Sequence, residues 1–173
     1  MDIPISQIFI DASLKRLEEP FAKIEHCVNQ LTEDDLHLRP DESMNSISNI
    51  ILHVCGNLRQ WIISRAGGAD EVRRRWEEFD DRKRYTRDEL LQRLTETTKE
   101  CRDVIASLSP DALTDERTVQ GFDETVLSAV YDSICHLSGH SQEIVYITRM
   151  RKGDDYQFKW QPSTPEEGLP RGN

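Results

Sequence analysis

A helical hydrophobic period, met by no competing strand pattern, constrains this chain more than any other feature. Leu14, Leu17, Phe21, Ile24, Val28 and Leu31 step by 3, 4, 3, 4 and 3 residues, which keeps one apolar stripe on one helix face. No period-two alternation is sustained, and no Asn-Gly or Asp-Gly pair marks a hairpin turn. The 173 residues are the size of one ordinary domain, so an all-α four-helix bundle is the predicted fold. Residues 1–153 form the bundle domain in this reading, and residues 154–173, with three prolines, form an extended C-terminal tail.

Pro20 falls inside the first stripe and predicts either a kink or a helix that starts near it, because proline removes a backbone donor. A second helix is expected from Ser46 or Ser48, either of which can cap it, to the Gly67-Gly68 stop. Its core stripe is Ile47, Ile51, Val54, Leu58, Trp61 and Ile62. Residues 69–85 read as a long connection with room for a short helix. Thr86 and Glu89 make a capping box for a third helix carrying Leu90, Leu94, Cys101, Val104, Ile105 and Leu108. The fourth helix is expected from about Glu124 to Arg151, with Leu127, Ile134 and Val145 on its core stripe. The links at 32–45 and 67–85 exceed what a tight bundle needs, which predicts crossover connections or loops that shape a site. In the tail, Phe158 and Trp160 predict docking of its first part onto the bundle.

Charge narrows the function classes. With 22 Lys+Arg against 32 Asp+Glu, the net charge is −10. Such a surface repels phosphate backbones and anionic membranes, which argues against a nucleic-acid or membrane partner. No apolar run approaches the ~18 residues of a membrane span. The first residues lack the basic stretch of a signal peptide, so a cytoplasmic location and four reduced cysteines are expected.

The five histidines are scarce, and their placement is informative. His136 and His140 stand at i and i+4 in the fourth helix and project from one face, one turn apart. That spacing lets two imidazoles reach one metal ion. His53 lies midway along the second helix, about 110° from the centre of its apolar stripe, on a flank shared with Asn57, Gln60 and Ser64. Two polar seams on core helices are costly to bury unless they face each other, water or a metal. Three neutral imidazoles around an ion with open positions is the pattern of a catalytic metal site. His26 and His37 lie off these seams. Gly56 and Gly139 sit beside the histidines and, inside helices, imply a packing or access reason. Cys55 and Cys135 point away from His53 and His136 and read as small buried filler.

The segment HVCGNLRQW (residues 53–61) resembles the His-x-x-Gly-Asn-Leu-Arg-x-Trp stretch of the DinB-like (YfiT-like) superfamily, in an uncharacterised branch. HLSGHSQEIVYITR resembles the same family's fourth-helix signature, His-x-x-x-His-x-Gly-Gln-Ile-x-Tyr; RRRWEEF and the C-terminal PRG fit as well. The resemblance implies a four-helix bundle with a divalent metal held by His53, His136 and His140, and a homodimer. It implies a small-molecule substrate, and in better-known relatives the reaction uses a low-molecular-weight thiol such as bacillithiol or mycothiol. One departure is that the family's Gly-Gln is Gln142-Glu143 here. Glu143, one turn from His140, can be a fourth ligand, a base or a partner that holds His140 from outside.

Two functions follow as expectations. One is a metal-dependent hydrolase or thiol-dependent S-transferase with nickel or zinc, by ligand softness. Glu143 would transfer the proton, Asn57 or Arg59 would orient the substrate, and Arg149 would hold a carboxylate. The other is a non-catalytic dimeric module with a structural or vestigial metal site.

Overall fold

A computed structural model describes residues 3–159. The long helices are α1 (Ile5–Val28), α3 (Ile47–Leu58), α5 (Arg87–Ser107) and α6 (Val126–Lys152), with short helices α2 (Glu33–His37) and α4 (Arg75–Asp80) in the links. Their starts follow from their caps. The Ser46 hydroxyl accepts from the Asn49 amide, Thr86 and Glu89 complete a reciprocal capping box, and the Thr125 hydroxyl accepts from the Ser128 amide. Gly153, at φ +54°, ends α6, in a backbone region that glycine enters at little cost.

The bundle is all-α in its core, as the hydrophobic period predicts. α1 packs on α5 and α6, and α3 packs on the same two helices. The consecutive pairs α1/α3 and α5/α6 therefore stand on diagonals, so the links between them cross the end of the bundle. α3 sits deepest, with every residue from Ile47 to Leu58 buried except Gly56. A helix apolar nearly all round belongs at the centre of a bundle.

Four sequence expectations are corrected. α1 begins fifteen residues before Pro20 and runs through it, so of the two expected outcomes a helix starting near Pro20 is overturned; a helix of 24 residues tolerates one missing donor. The second helix is not α-helical to its end, because Arg59–Ala66 is wound as a π-helix, with the Gly67 amide donating to the Ile62 carbonyl. Trp61, expected in the core stripe, is turned partly to solvent. On α6 the buried side is Val126, Val130, Leu137, Ile144 and Thr148, whereas Leu127 is 40% exposed. A strand signal was also missed. Glu116–Val119 (β1) and Phe122–Thr125 (β2) form an antiparallel hairpin. Its turn residues Gln120 and Gly121 have φ of +53° and +86°. Both central positions of this tight turn need positive φ, and glutamine there is the uncommon choice.

After α6, a short 3-10 turn at Gly153–Asp155 leads into residues that lie along α1. The His26 ring donates to the Gln157 carbonyl at 2.6 Å, and Lys159 donates to the Ala22 carbonyl at 3.0 Å. Tyr156 and Phe158 meet edge to face. The expectation for Trp160 and the rest of the tail falls outside the described residues. No helix among those described is long and apolar enough to cross a membrane.

Candidate metal centre

α3 and α6 bring His53, His136 and His140 together. One ring nitrogen from each lies within 4.8 Å of the other two. Nε2 of His53 stands 3.1 Å from Nε2 of His136. The His136 and His140 rings, one turn apart on α6, have centroids 4.5 Å apart. His53 is buried, whereas His136 and His140 are half-buried and open the site toward solvent along α6.

A carboxylate that the sequence reading did not single out fixes His53. Nδ1 of His53 donates to Oε2 of Glu78 at 3.0 Å. Glu78 is held in turn by both ends of the Arg73 guanidinium, at 2.7 and 2.8 Å. Arg73 Nη2 also lies 3.2 Å from His53 Nδ1, but the carboxylate is the acceptor that both donors share. This leaves the proton on Nδ1 and the lone pair of Nε2 aimed at the cluster. An imidazole anchored through its far nitrogen is the usual state of a metal-bound histidine.

Glu78 reaches His53 because α4 is pinned to the start of α3. The buried Asn49 amide donates to the backbone carbonyls of Glu78 and Asp81, at 2.9 and 3.1 Å. Gly56 completes the arrangement. A Cβ on Gly56 would overlap the Glu78 carboxylate and crowd Arg73, so the glycine one turn from His53 gives that carboxylate its space. Gly139 differs, since a Cβ there meets nothing within 4 Å; it borders open surface beside His140. The π-helix adds a further brace. Gln60 accepts from Arg73 Nη1 at 2.9 Å and from Gln120 of the hairpin turn at 2.7 Å.

On α6, Nδ1 of His140 donates to Oε2 of Glu143 at 2.7 Å. His140 and His53 thus each carry a carboxylate on the outer nitrogen. His136 does not, because its Nδ1 is buried without a partner. Burial, then the neighbouring His140 and His53 rings and the charges of Arg73 and Arg75, push the His136 pKa down to about 4. Glu78 is held below the usual carboxylate range: burial raises it, and the hydrogen bonds from Arg73 and His53 with the charge of Arg73 outweigh that rise. Near neutral pH, His136 is therefore an uncharged donor and Glu78 is anionic.

The residues fit a divalent ion. Two nitrogens bound at 2.0–2.1 Å to one tetrahedral ion stand about 3.3 Å apart, close to the His53–His136 separation. Two lone pairs converging at such a distance repel unless a proton or an ion lies between them. An all-imidazole donor set suits a divalent transition metal such as zinc, copper, iron or nickel.

Other expectations are placed elsewhere. Asn57 accepts from Ser133 at 2.8 Å, Arg59 pairs with Glu100 on α5, and Arg149 lies over the rings of Tyr156 and Phe158. Ser64, on the polar flank, donates to the Asp70 carbonyl. Cys55 is buried, with its thiol pushed up to about 12 by burial, but Cys135 is exposed, which corrects its reading as buried filler; it sits on the outer face of α6. A cavity of about 760 Å³ between α3, the α4 segment and α5 borders Gly56, Arg73 and Glu78 but none of the three histidines.

The model of a family described as "Protein of unknown function (DUF1572)" matches residues 4–163. No curated protein matches the chain. Among solved structures, a DinB-like protein (YjoA) from Bacillus subtilis superposes with a TM-score of 0.66 at 13% identity, covering 88% of this chain and 99% of that one. That likeness shows a shared fold, the all-α bundle of a DinB-like protein.

Proposed function

This chain belongs to the DUF1572 family, and we propose that it is a divalent-metal protein whose ion, nickel or zinc, is held by His53, His136 and His140 and used in hydrolysis or thiol-dependent S-transfer on a small molecule. The observation that carries this reading is the convergence of His53 and His136 at 3.1 Å while His53 is anchored from behind by Glu78. When bound, the ion would lower the pKa of a coordinated water or thiol and supply a nucleophile at neutral pH.

The protein residues divide the remaining work. Glu78 and Glu143 hold two of the three imidazoles with their inner nitrogens unprotonated. Glu143 is half exposed, and among the described residues its second oxygen has no hydrogen bond. That oxygen is free to take a proton, the role proposed for it at neutral pH. The half-buried His136 and His140, with open surface at Gly139, favour an accessible centre over a closed structural one. Tyr131, Tyr146 and Met150 are each exposed on α6, and a homodimer belongs to this reading; sedimentation would test it.

The test is elemental analysis of protein purified without an affinity tag. About one equivalent of nickel or zinc is expected in the wild type and almost none in His136→Ala. A folded His136→Ala protein with full metal content would overturn the reading.

A further inference from the structure

Residues 73–75 are three consecutive arginines with three different situations. Arg73 is buried and committed to Glu78. Arg74 pairs with Glu77 at the surface. Arg75, at the start of α4, makes no hydrogen bond or ion pair among the described residues. Its guanidinium lies 5.1 Å from the Phe79 ring centroid and 5.3 Å from that of Trp76. The Phe79 ring in turn lies 4.8 Å from the His53 ring. Arg75 is thus separated from the three-histidine cluster by one aromatic ring.

Arg149 is likewise stacked on aromatic rings, but Arg75 is the one of the two that lies a single ring away from His53. Resting on aromatic faces keeps its fork of donors oriented and free. Trp76, 73% exposed, stands beside it as an apolar wall. A planar cation and an exposed indole, one aromatic ring away from the three histidines, suit a ligand with a carboxylate at one end and a metal-binding atom at the other.

We propose that Arg75 is the specificity residue of the three-histidine centre and takes, through its two-pronged guanidinium, the carboxylate of a small ligand whose donor atom reaches the ion. This rests on the metal reading of the site and adds the substrate class: small carboxylates in preference to neutral analogues. Paired donors suit a carboxylate better than a point charge does, so lysine should replace Arg75 only in part.

The test uses cobalt(II)-loaded full-length protein titrated with 3-mercaptopropionate or 2-mercaptoethanol, read by thiolate-to-cobalt charge-transfer absorption. The wild type should bind the acid roughly fivefold to tenfold more tightly than the alcohol, the scale of one charge-assisted paired contact at a partly exposed site. Arg75→Gln should bind both alike, and Arg75→Lys should keep part of the preference. Arg74→Gln removes the same charge one residue away and should behave as the wild type. A wild type without preference, a preference surviving in Arg75→Gln, or an equal loss in Arg74→Gln would overturn the assignment. Absence of cobalt d–d bands in the wild type is a different failure; it would remove the metal reading itself, and this proposal with it.

Discussion

His53 and His136 face one another with their Nε2 atoms 3.1 Å apart, although 83 residues separate them in the chain. The pair joins the most buried helix of the bundle to the one that lines its open side. Any ion bound between them therefore links α3 to α6 and stabilises the fold by mass action. A metal at one hundred times its Kd contributes about 2.7 kcal/mol, and each kcal/mol moves Tm by roughly 2–4 °C in a chain of this length. Chelation should thus lower Tm by about 5–10 °C in the wild type and by little in His53→Ala. Differential scanning calorimetry with and without chelator reads this directly, and equal shifts in the two proteins would contradict it.

Glu78 and Glu143 serve histidines in unlike surroundings, so their removal should differ. Glu78 has 11% side-chain exposure and Glu143 47%. Glu78→Ala leaves the buried Arg73 unpaired, a change of about 3–5 kcal/mol when one partner of a buried pair is lost. It should also weaken metal binding by roughly 10- to 100-fold, as loss of an imidazole's outer anchor does. Glu143→Ala should leave stability within about 1 kcal/mol and weaken metal binding less. Urea unfolding together with competitive metal titration separates the two effects; equal stability losses would argue against the buried Arg73–Glu78 pair.

The parts of this site that were legible in the sequence are those set by local periodicity. His136 and His140 share a face because helical spacing alone puts them there, and His53 stood out as a polar side chain beside an apolar stripe. Glu78, Arg73 and Asn49 were not legible. Glu78 lies 25 residues from His53, in a segment of mixed charge with no period, and only the tertiary path of α4 brings it in. Gly56 carried the one usable signal, since a helix-interior glycine beside a candidate ligand implies a close neighbour. The hairpin escaped because its turn is Gln-Gly, with a glutamine where asparagine or aspartate is usual. The π-helix escaped because apolar spacing over a few residues looks the same in α and π windings. Leu127 was misassigned because the traced stripe of Leu127, Ile134 and Val145 is rotated by about 70° from the buried Val126, Val130, Leu137, Ile144 and Thr148.

Gly56 and Gly139 offer paired substitutions of opposite sign. Both lie in helices, where alanine is favoured over glycine by about 1 kcal/mol. At Gly139 a Cβ meets open space, so Gly139→Ala should stabilise by up to that amount. At Gly56 the Cβ overlaps the Glu78 carboxylate, and relief requires moving the anchor of His53. Gly56→Ala should destabilise by about 1–3 kcal/mol, the usual cost of overpacking, and reduce metal affinity. Measuring both variants by urea unfolding decides the matter; a stabilised Gly56→Ala would mean that Glu78 moves aside freely.

Stability of the metal-free protein should fall in mild acid because of His136. Its pKa is pushed from 6.5 to about 4, chiefly by burial and then by the other two rings. Above pH 6.5 the ring is neutral in both folded and unfolded chains, and its contribution is fully present. Between pH 6.5 and about 4 the unfolded chain takes up a proton that the folded chain refuses, so stability drops as pH falls. Below about pH 4 both forms are protonated and this source of loss ends. At 1.36 kcal/mol per pKa unit the whole effect is at most about 3–4 kcal/mol, and less in practice because the ring is only half-buried. His136→Gln removes the titrating group but keeps a polar side chain. Unfolding free energies at pH 7.5 and 4.5 should therefore differ less in His136→Gln than in the wild type, and parallel losses in the two proteins would show that acid acts elsewhere.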